Sequence, residues 1–268
     1  MKLGIISPAD DNLYAATLLA AVAASGDTPC LVISTHQSRA ARAIAYARHH
    51  GWRSLLSRLL EEADLAPTGP ASPRHHLQEL AATRGLRDWD RPLSQSCRTM
   101  GTEYLHTPSV NTPAAVEAVR RQKVDVLLSA VAELYRPAMI GAPTLGILNA
   151  HMARLPAFRG MNVLEWSVLL ERPIGVTIHF VAERVDTGAI LLHREIPMVT
   201  GDTLDSLRAR SISLNVELML EAVGRLKADP AAGDGSAPGE GRQYFVMHPR
   251  LKAVVRQKIS TGSVSTGR

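Results

Sequence analysis

The sequence predicts an α/β protein built on a Rossmann-like, open and mostly parallel sheet flanked by helices, with a helical insertion and a short C-terminal extension. Three observations lead there. The chain opens with a strand, an alanine-rich helix and a second strand in β-α-β order. Two later apolar runs, at 124–130 and 146–151, repeat that cadence. The runs are only five to seven residues long, the length of strands buried on both faces.

Leu3 to Ser7 reads as the first strand, stopped by Pro8 and the polar Asp10-Asp11-Asn12. Leu13 to Ala24 is a packed helix with Gly26 just past its end. Cys30 to Ser34 is the second strand. Residues 36–88 are rich in Arg, His and Leu, with helical pieces at 40–48, 52–63 and 75–84, and read as an insertion between sheet strands. A helix follows over 111–122, with Asn111 or Thr112 as cap and Pro113 in its first turn. Val124–Ala130 and Gly146–His151 are neighbouring strands, separated by a short helical turn at 137–140. Asn162 to Glu171 is helical, and 176–181 with 189–197 form a strand pair. Asp202 or Thr203 caps a long helix with Leu204, Leu207, Leu214 and Leu218 on one stripe. The expected division is an α/β domain over 1–228, a linker over 229–241 and a basic extension over 242–268, its last residues, from Ser260, disordered.

Bulk properties exclude several classes. With 46% hydrophobic and 21% charged residues, the 268-residue chain is ordinary for a globular protein. Aromatics make up 4%, too few for a nucleic-acid platform of stacked rings. No apolar run approaches the roughly 20 residues of a membrane span, and the N-terminal run is too short for a secretory signal. Cytoplasmic residence is the expectation. Cys30 and Cys97 are expected as free thiols. The net charge of +5 equals the five cations Arg250, Lys252, Arg256, Lys258 and Arg268, so the rest of the chain is balanced. His49-His50 and His75-His76 point apart on helices and lack acidic companions, so no metal site is expected.

The chemistry-bearing residues are Asn149, His151 and Asp186. The first two end a strand, and the third lies in the turn Val185-Asp186-Thr187-Gly188. Ligands of open α/β sheets collect at the carboxyl ends of strands. There an amide can donate to an oxyanion, an imidazole can donate or move a proton, and a carboxylate can relay it. Read singly, each residue is equally a cap, a backbone-bonded histidine or a turn residue.

Their order and surroundings carry more. Asn149-Ala150-His151 is followed by Leu155-Pro156-Ala157-Phe158-Arg159-Gly160, then Gly175-Val176-Thr177-Ile178-His179, then Asp186-Thr187-Gly188. From Val124 to Pro197 the chain resembles the folate-dependent formyltransferase family, which includes the methionyl-tRNA, glycinamide ribonucleotide and amino-sugar formyltransferases. The chain departs from that pattern at Arg154, where many relatives carry Leu. The resemblance implies transfer of a formyl group from N10-formyltetrahydrofolate to an amine, without a metal. It implies that Asn149 and His151 stabilise the oxyanion and that Asp186 relays the proton. It places the cofactor against Glu133, Leu134 and Tyr135 on one side and Glu183 and Val185 on the other. His179, Arg159 and Asn162 are weaker, substrate-binding candidates; His179 reads equally as an inward histidine that orients Asp186.

The acceptor is narrowed by what the chain lacks. The place of the phosphate loop of the glycinamide ribonucleotide enzymes holds Asp10 and Asp11, which would repel a phosphate. Some forty residues follow the long helix, too few for a tRNA-binding domain, so no tRNA partner is expected. The regulatory domain that usually opens the folate-hydrolysing relatives is not seen ahead of the first strand. A small-molecule amine is the expected acceptor, such as an amino sugar nucleotide or another metabolite amine. Arg159-Gly160-Met161-Asn162 and Trp166 resemble the amino-sugar branch. Arg39, Arg42, Arg48, Arg53 and Arg58 of the insertion read as a solvated face or as contacts to a nucleotide diphosphate. A formyltetrahydrofolate hydrolase and a non-catalytic folate-binding protein are the alternatives. A homodimer is compatible with every reading.

Overall fold

The computed structural model describes residues 1–35, 71–232 and 241–262. The insertion's arginines, His49-His50 and the helical pieces at 40–48 and 52–63 lie outside the described residues, as do 233–240 and 263–268.

Seven strands form the main sheet: β1 (Leu3–Ser7), β2 (Leu31–Ser34), β3 (Glu103–His106), β4 (Val126–Ser129), β5 (Gly146–His151), β7 (Gly175–Phe180) and β8 (Ile190–Glu195). Their order is β3-β2-β1-β4-β5-β7-β8. The first five are parallel, and β7 and β8 add an antiparallel edge. The fold class is the one expected. Order reverses at β1: the chain moves outward to β2 and β3, then returns to β4 on the other side. Such a reversal opens a crevice at the carboxyl ends of β1 and β4.

Helices cover both faces. One face carries Ile5, Val32, Val126, Leu128, Leu148 and Ile178 and packs under α1 (Leu13–Ala24), α2 (Pro73–Arg84) and α7 (Leu204–Ala228). The other carries Ile6, Leu31, Ile33, Leu127 and Ile147 and packs under α4 (Pro113–Gln122). The strands are short because each residue is buried; β1, β2 and β4 show no exposed position. α1 is apolar almost all round, as a helix wedged between sheet and α7 must be. Asn12 caps it by accepting from Ala15 N–H at 2.9 Å, a cap worth about 1 kcal/mol. Thr112 caps α4, and Thr203 caps α7 with Ser206 in a reciprocal capping box.

Four features depart from the sequence reading. β3 and α3 (Leu93–Met100) were not anticipated, because β3 is an edge strand whose residues are only half-buried and show no apolar run. β6 (Phe158–Gly160) pairs with β9 (Arg242–Tyr244) in a second, two-stranded sheet, bringing the C-terminal segment back onto the body. Gly241 therefore belongs to that junction and not to a linker; a Cβ there would lie 1.6 Å from the Pro156 carbonyl oxygen. The buried stripe of α7 runs through Leu207, Ser211, Asn215 and Leu218, leaving Leu214 half-buried. α8 (Pro249–Ser260) then packs by Val255 and Ile259, so Ser260, expected to be disordered, ends a helix. Among the described residues, no helix is long and apolar enough to cross a membrane.

Candidate active site

Asn149 and His151 occupy alternate positions of β5 and so leave the same face of the strand. Asn149 lies opposite His179 of antiparallel β7, and His151 opposite Thr177. The Asn149 Nδ2 is 3.2 Å from His179 Nε2, while His179 Nδ1 is 2.8 Å from the Phe180 carbonyl oxygen. A carbonyl only accepts, so Nδ1 carries the proton and Nε2 offers a lone pair. That lone pair fixes which way the Asn149 amide points: its nitrogen faces His179 with one N–H, leaving the second to donate into the crevice. Burial, and then nearby His151, bring the His179 pKa down to about 4 against the opposing pull of Asp186 and the Phe180 carbonyl. The ring is thus neutral and able to accept at neutral pH.

His151 is 6% exposed. Its Nε2–H donates to the Phe158 carbonyl at 2.7 Å, and its Nδ1 faces Asp186 Oδ2 at 3.5 Å. Asp186 sits in the turn after β7 with φ +51°, a left-handed conformation that Asp tolerates better than most residues. Gly188 closes that turn where only a glycine fits, since a Cβ would stand 1.8 Å from the Phe180 carbonyl oxygen. Asp186 Oδ2 also accepts the Gly160 N–H at 2.7 Å. Its Oδ1 lies 3.7 Å from His179 Nε2, a nitrogen without a proton, so this contact is no hydrogen bond. Thr177 Oγ1 donates to the Ala153 carbonyl at 2.6 Å and holds the loop that follows His151.

These three residues line a cleft of about 680 Å³. Glu133, Leu134, Tyr135, Glu183 and Val185 line it too, from the loops after β4 and β7. The side chain of Glu133 is spent on the 109–111 turn before α4, and that of Tyr135 on its own loop. Glu133 accepts from Asn111 Nδ2 at 3.2 Å and from Val110 N–H at 3.3 Å, and Tyr135 donates to Ser129 Oγ at 2.7 Å. Besides Glu183 and Arg184, these two loops offer the cleft main chain and the apolar Val131, Leu134, Val181 and Val185. A flat heteroaromatic ring suits such walls.

Arg159 and Asn162 are directed elsewhere. Arg159 donates to the Gly241 carbonyl, and Asn162 Oδ1 accepts the Met247 N–H at 2.9 Å while its Nδ2 donates to Glu165 at 3.0 Å. Both hold the C-terminal segment through these bonds, and His179 holds Asn149; Arg159 Nε is buried and has no partner among the described residues. The sequence reading missed Tyr14, Ile212 and Asn215 from α1 and α7, and Gln243, Tyr244 and Phe245 from β9 and beyond, all of which line the cleft. A signal was present: in a chain with three Phe and three Trp, Phe158, Trp166, Tyr244 and Phe245 gather here. Tyr244 stacks on Phe158 at 5.1 Å and meets Trp166 at 5.2 Å, and Trp166 Nε1–H donates to the Phe245 carbonyl at 2.9 Å. Among the described residues, no cluster of three metal-ligating side chains occurs.

An amide, an imidazole and a carboxylate meet at the carboxyl end of β5 in a Rossmann-like sheet, a set of groups that can serve group transfer. The chain matches the formyl transferase family model over residues 81–223, more than half its length, and it belongs to that family. It is similar to the methionyl-tRNA formyltransferase of Chlorobium luteolum, with 30% identity over 71% of this chain and 60% of that protein. The chain thus spans well under the full length of this curated relative. Among solved structures it resembles glycinamide ribonucleotide transformylase 1 of Symbiobacterium toebii, with TM-score 0.54, 21% identity, and coverage of 86% of this chain and 89% of that one. It also resembles an N-formyltransferase of Helicobacter canadensis, solved with folinic acid and dTDP-3-aminofucose. There the TM-score is 0.56 and the identity 14%, over 91% of this chain and 71% of that one.

Proposed function

We propose that the protein is an N-formyltransferase that moves a formyl group from N10-formyltetrahydrofolate to the amine of a small-molecule acceptor. The observation that carries this reading is the convergence of Asn149, His151 and Asp186 on one cleft, with His151 Nδ1 3.5 Å from the Asp186 carboxylate. The walls from 131–135 and 181–185 would hold the pterin ring, and the bound donor supplies the electrophilic formyl carbon and the nitrogen that leaves it.

The residues then divide the work. The free N–H of Asn149 donates to the formyl oxygen as it gains negative charge during amine attack. Because His179 fixes the amide beforehand, no reorganisation accompanies that step. The attacking nitrogen must lose a proton, and the departing nitrogen must gain one. Asp186 accepts from the first and His151 lies within reach of Asp186, so the pair passes the proton while its total charge stays within one unit. The Gly160 N–H and the Phe158 carbonyl hold the two partners in register throughout.

A small amine is favoured over an aminoacylated tRNA by the cleft itself. Among the described residues lining it, Arg184 is the sole Lys or Arg, so the lining offers little to the many phosphates of a nucleic acid. The test is to incubate the purified protein with N10-formyltetrahydrofolate, alone and with candidate amines, and to follow formylated product and formate by mass spectrometry. Product that depends on the amine supports the transferase; formate released at the same rate without amine would establish the hydrolase instead.

A further inference from the structure

The cleft has two sides. The loops at 131–135 and 181–186 form one. The other is built by Asn12 and Tyr14 at the start of α1, Ile212 and Asn215 on α7, and Gln243 of β9. An amine attacking a donor held by the loops approaches from this second side.

Two polar groups on it have no partner among the described residues. The Tyr14 hydroxyl is sealed from solvent and bonded to nothing among the described residues, and so is Asn215 Oδ1. Asn215 is 5% exposed. An orphaned buried polar group costs about 1–3 kcal/mol, and native proteins keep few of them. Two on one wall of a ligand cleft call for an explanation, and nothing in the packing of α1 or α7 supplies one: leucine and phenylalanine would fill the same space. Among the described residues, the wall carries no Lys, Arg, Asp or Glu. The nearby acid Asp10 is committed to capping α3, accepting from Ser94 N–H and Ser94 Oγ at 2.8 Å each, and Asn12 is committed to capping α1.

We infer that Tyr14 and Asn215 form a subsite that reads hydroxyl groups beside the acceptor's amine, and that the acceptor is an amino sugar. This rests on the formyl-transfer reading and deepens it. A sugar hydroxyl both donates and accepts, so it satisfies the carboxamide oxygen of Asn215 and the phenol of Tyr14 together. Binding turns the carboxamide about its terminal torsion or shifts the tyrosine ring to bring these atoms to the ligand. A methionyl side chain could not use the subsite, because it would bury both groups still unpaired, and sites of this kind reject such ligands strongly. A phosphate would find no cation on this wall.

The test is calorimetric titration of the full chain, saturated with folinic acid, with dTDP-3-aminofucose and, separately, with dTDP. Asn215→Leu and Tyr14→Phe should each weaken the sugar nucleotide about tenfold, the upper range for one neutral hydrogen bond, and leave dTDP and folinic acid unchanged. Asn215→Leu should keep or raise the melting temperature, since it removes an unpaired group and breaks no bond. Unchanged affinity of both variants for the sugar nucleotide overturns the subsite. So does an equal loss for dTDP, or a wild-type chain that binds folinic acid but not the sugar. A wild-type chain that fails to bind folinic acid overturns the functional reading beneath, and the subsite falls with it.

Discussion

Asn149 and His179 face each other across antiparallel strands with Nδ2 and Nε2 3.2 Å apart, and this pairing sets the direction of the Asn149 amide, the proposed oxyanion donor. Asn149→Ala removes the donor and leaves the cleft walls intact. A single oxyanion donor contributes about 2.7–4 kcal/mol in comparable sites, so kcat should fall about 10²–10³-fold while folinic acid affinity holds. Steady-state kinetics beside calorimetry reads both. Turnover at the wild-type rate in this variant rules out the role given to Asn149.

The same pairing predicts an acid limit to stability. His179 is neutral in the folded protein because burial has brought its pKa down to about 4, against about 6.5 when unfolded. Between these values the unfolded chain binds the extra proton and the folded chain does not, so stability falls as pH drops from about 6.5 toward 4. Below about 4 the folded ring is protonated too and this contribution stops changing. Denaturation midpoints measured from pH 7 to 4 should fall more steeply in wild type than in His179→Gln, which cannot titrate. Parallel slopes would remove His179 as the source.

How far these features were legible follows from where each side chain's partner lies. Asn149, His151 and Asp186 stood out because short motifs surround them, and each motif answers a local need: Gly188 exists for a turn that no Cβ allows. Strands β1, β2, β4 and β5 were legible because burial on both faces leaves an unbroken apolar run. β6 and β9 were not, since three residues carry no period and their pairing joins positions more than eighty apart. Asn215 escaped for a different reason. A helix stripe is read from its apolar residues, and the eye passes over a polar one buried among them. Only coordinates show that it lacks a partner.

Asp186 is asked to carry a proton, which Asp186→Asn tests without altering shape. The amide can still accept the Gly160 N–H through its oxygen, so the turn should persist. General acid–base groups contribute about 10²–10⁴-fold, and a kcat loss in that range with KM nearly unchanged is the expected result. A variant that keeps the wild-type turnover would assign the proton transfer elsewhere.

Gly188 supports Asp186 from below. Gly188→Ala puts a Cβ against the Phe180 main chain, which cannot move without disturbing β7. The turn must shift instead, and displacements of about 1 Å in a reacting group cost on the order of 10²-fold in rate. Activity should fall by about that factor, with the circular dichroism spectrum retained. Loss of fold would mean that the turn is needed to close β7 on β8, and unchanged activity would show that the turn has room the structure does not display.

The C-terminal segment completes the cleft, and Tyr244 is what holds it. Its ring lies between Phe158 and Trp166, its carbonyl accepts the Met161 N–H at 3.0 Å, and Gly160 packs against that same carbonyl so closely that no Cβ fits. Gly160 in turn donates to Asp186, so the segment and the Asp186 carboxylate share one residue. Tyr244→Ala deletes two ring contacts, each worth about 0.5–1.5 kcal/mol beyond burial, and leaves the three-residue pairing of β6 with β9 to rest on the Arg159, Asn162 and Trp166 bonds to the segment. That pairing is too short to persist unaided. The amides of Met161 and Met247 should therefore exchange with solvent far faster in the variant, while those of β4 and β5 keep their protection, because the main sheet does not depend on β9. Activity should fall along with them through the loosened Gly160, and Tyr244→Phe should restore both, since the contacts are made by the ring. Protection at Met161 equal to wild type in Tyr244→Ala would mean that α8, not the aromatic stack, anchors the segment.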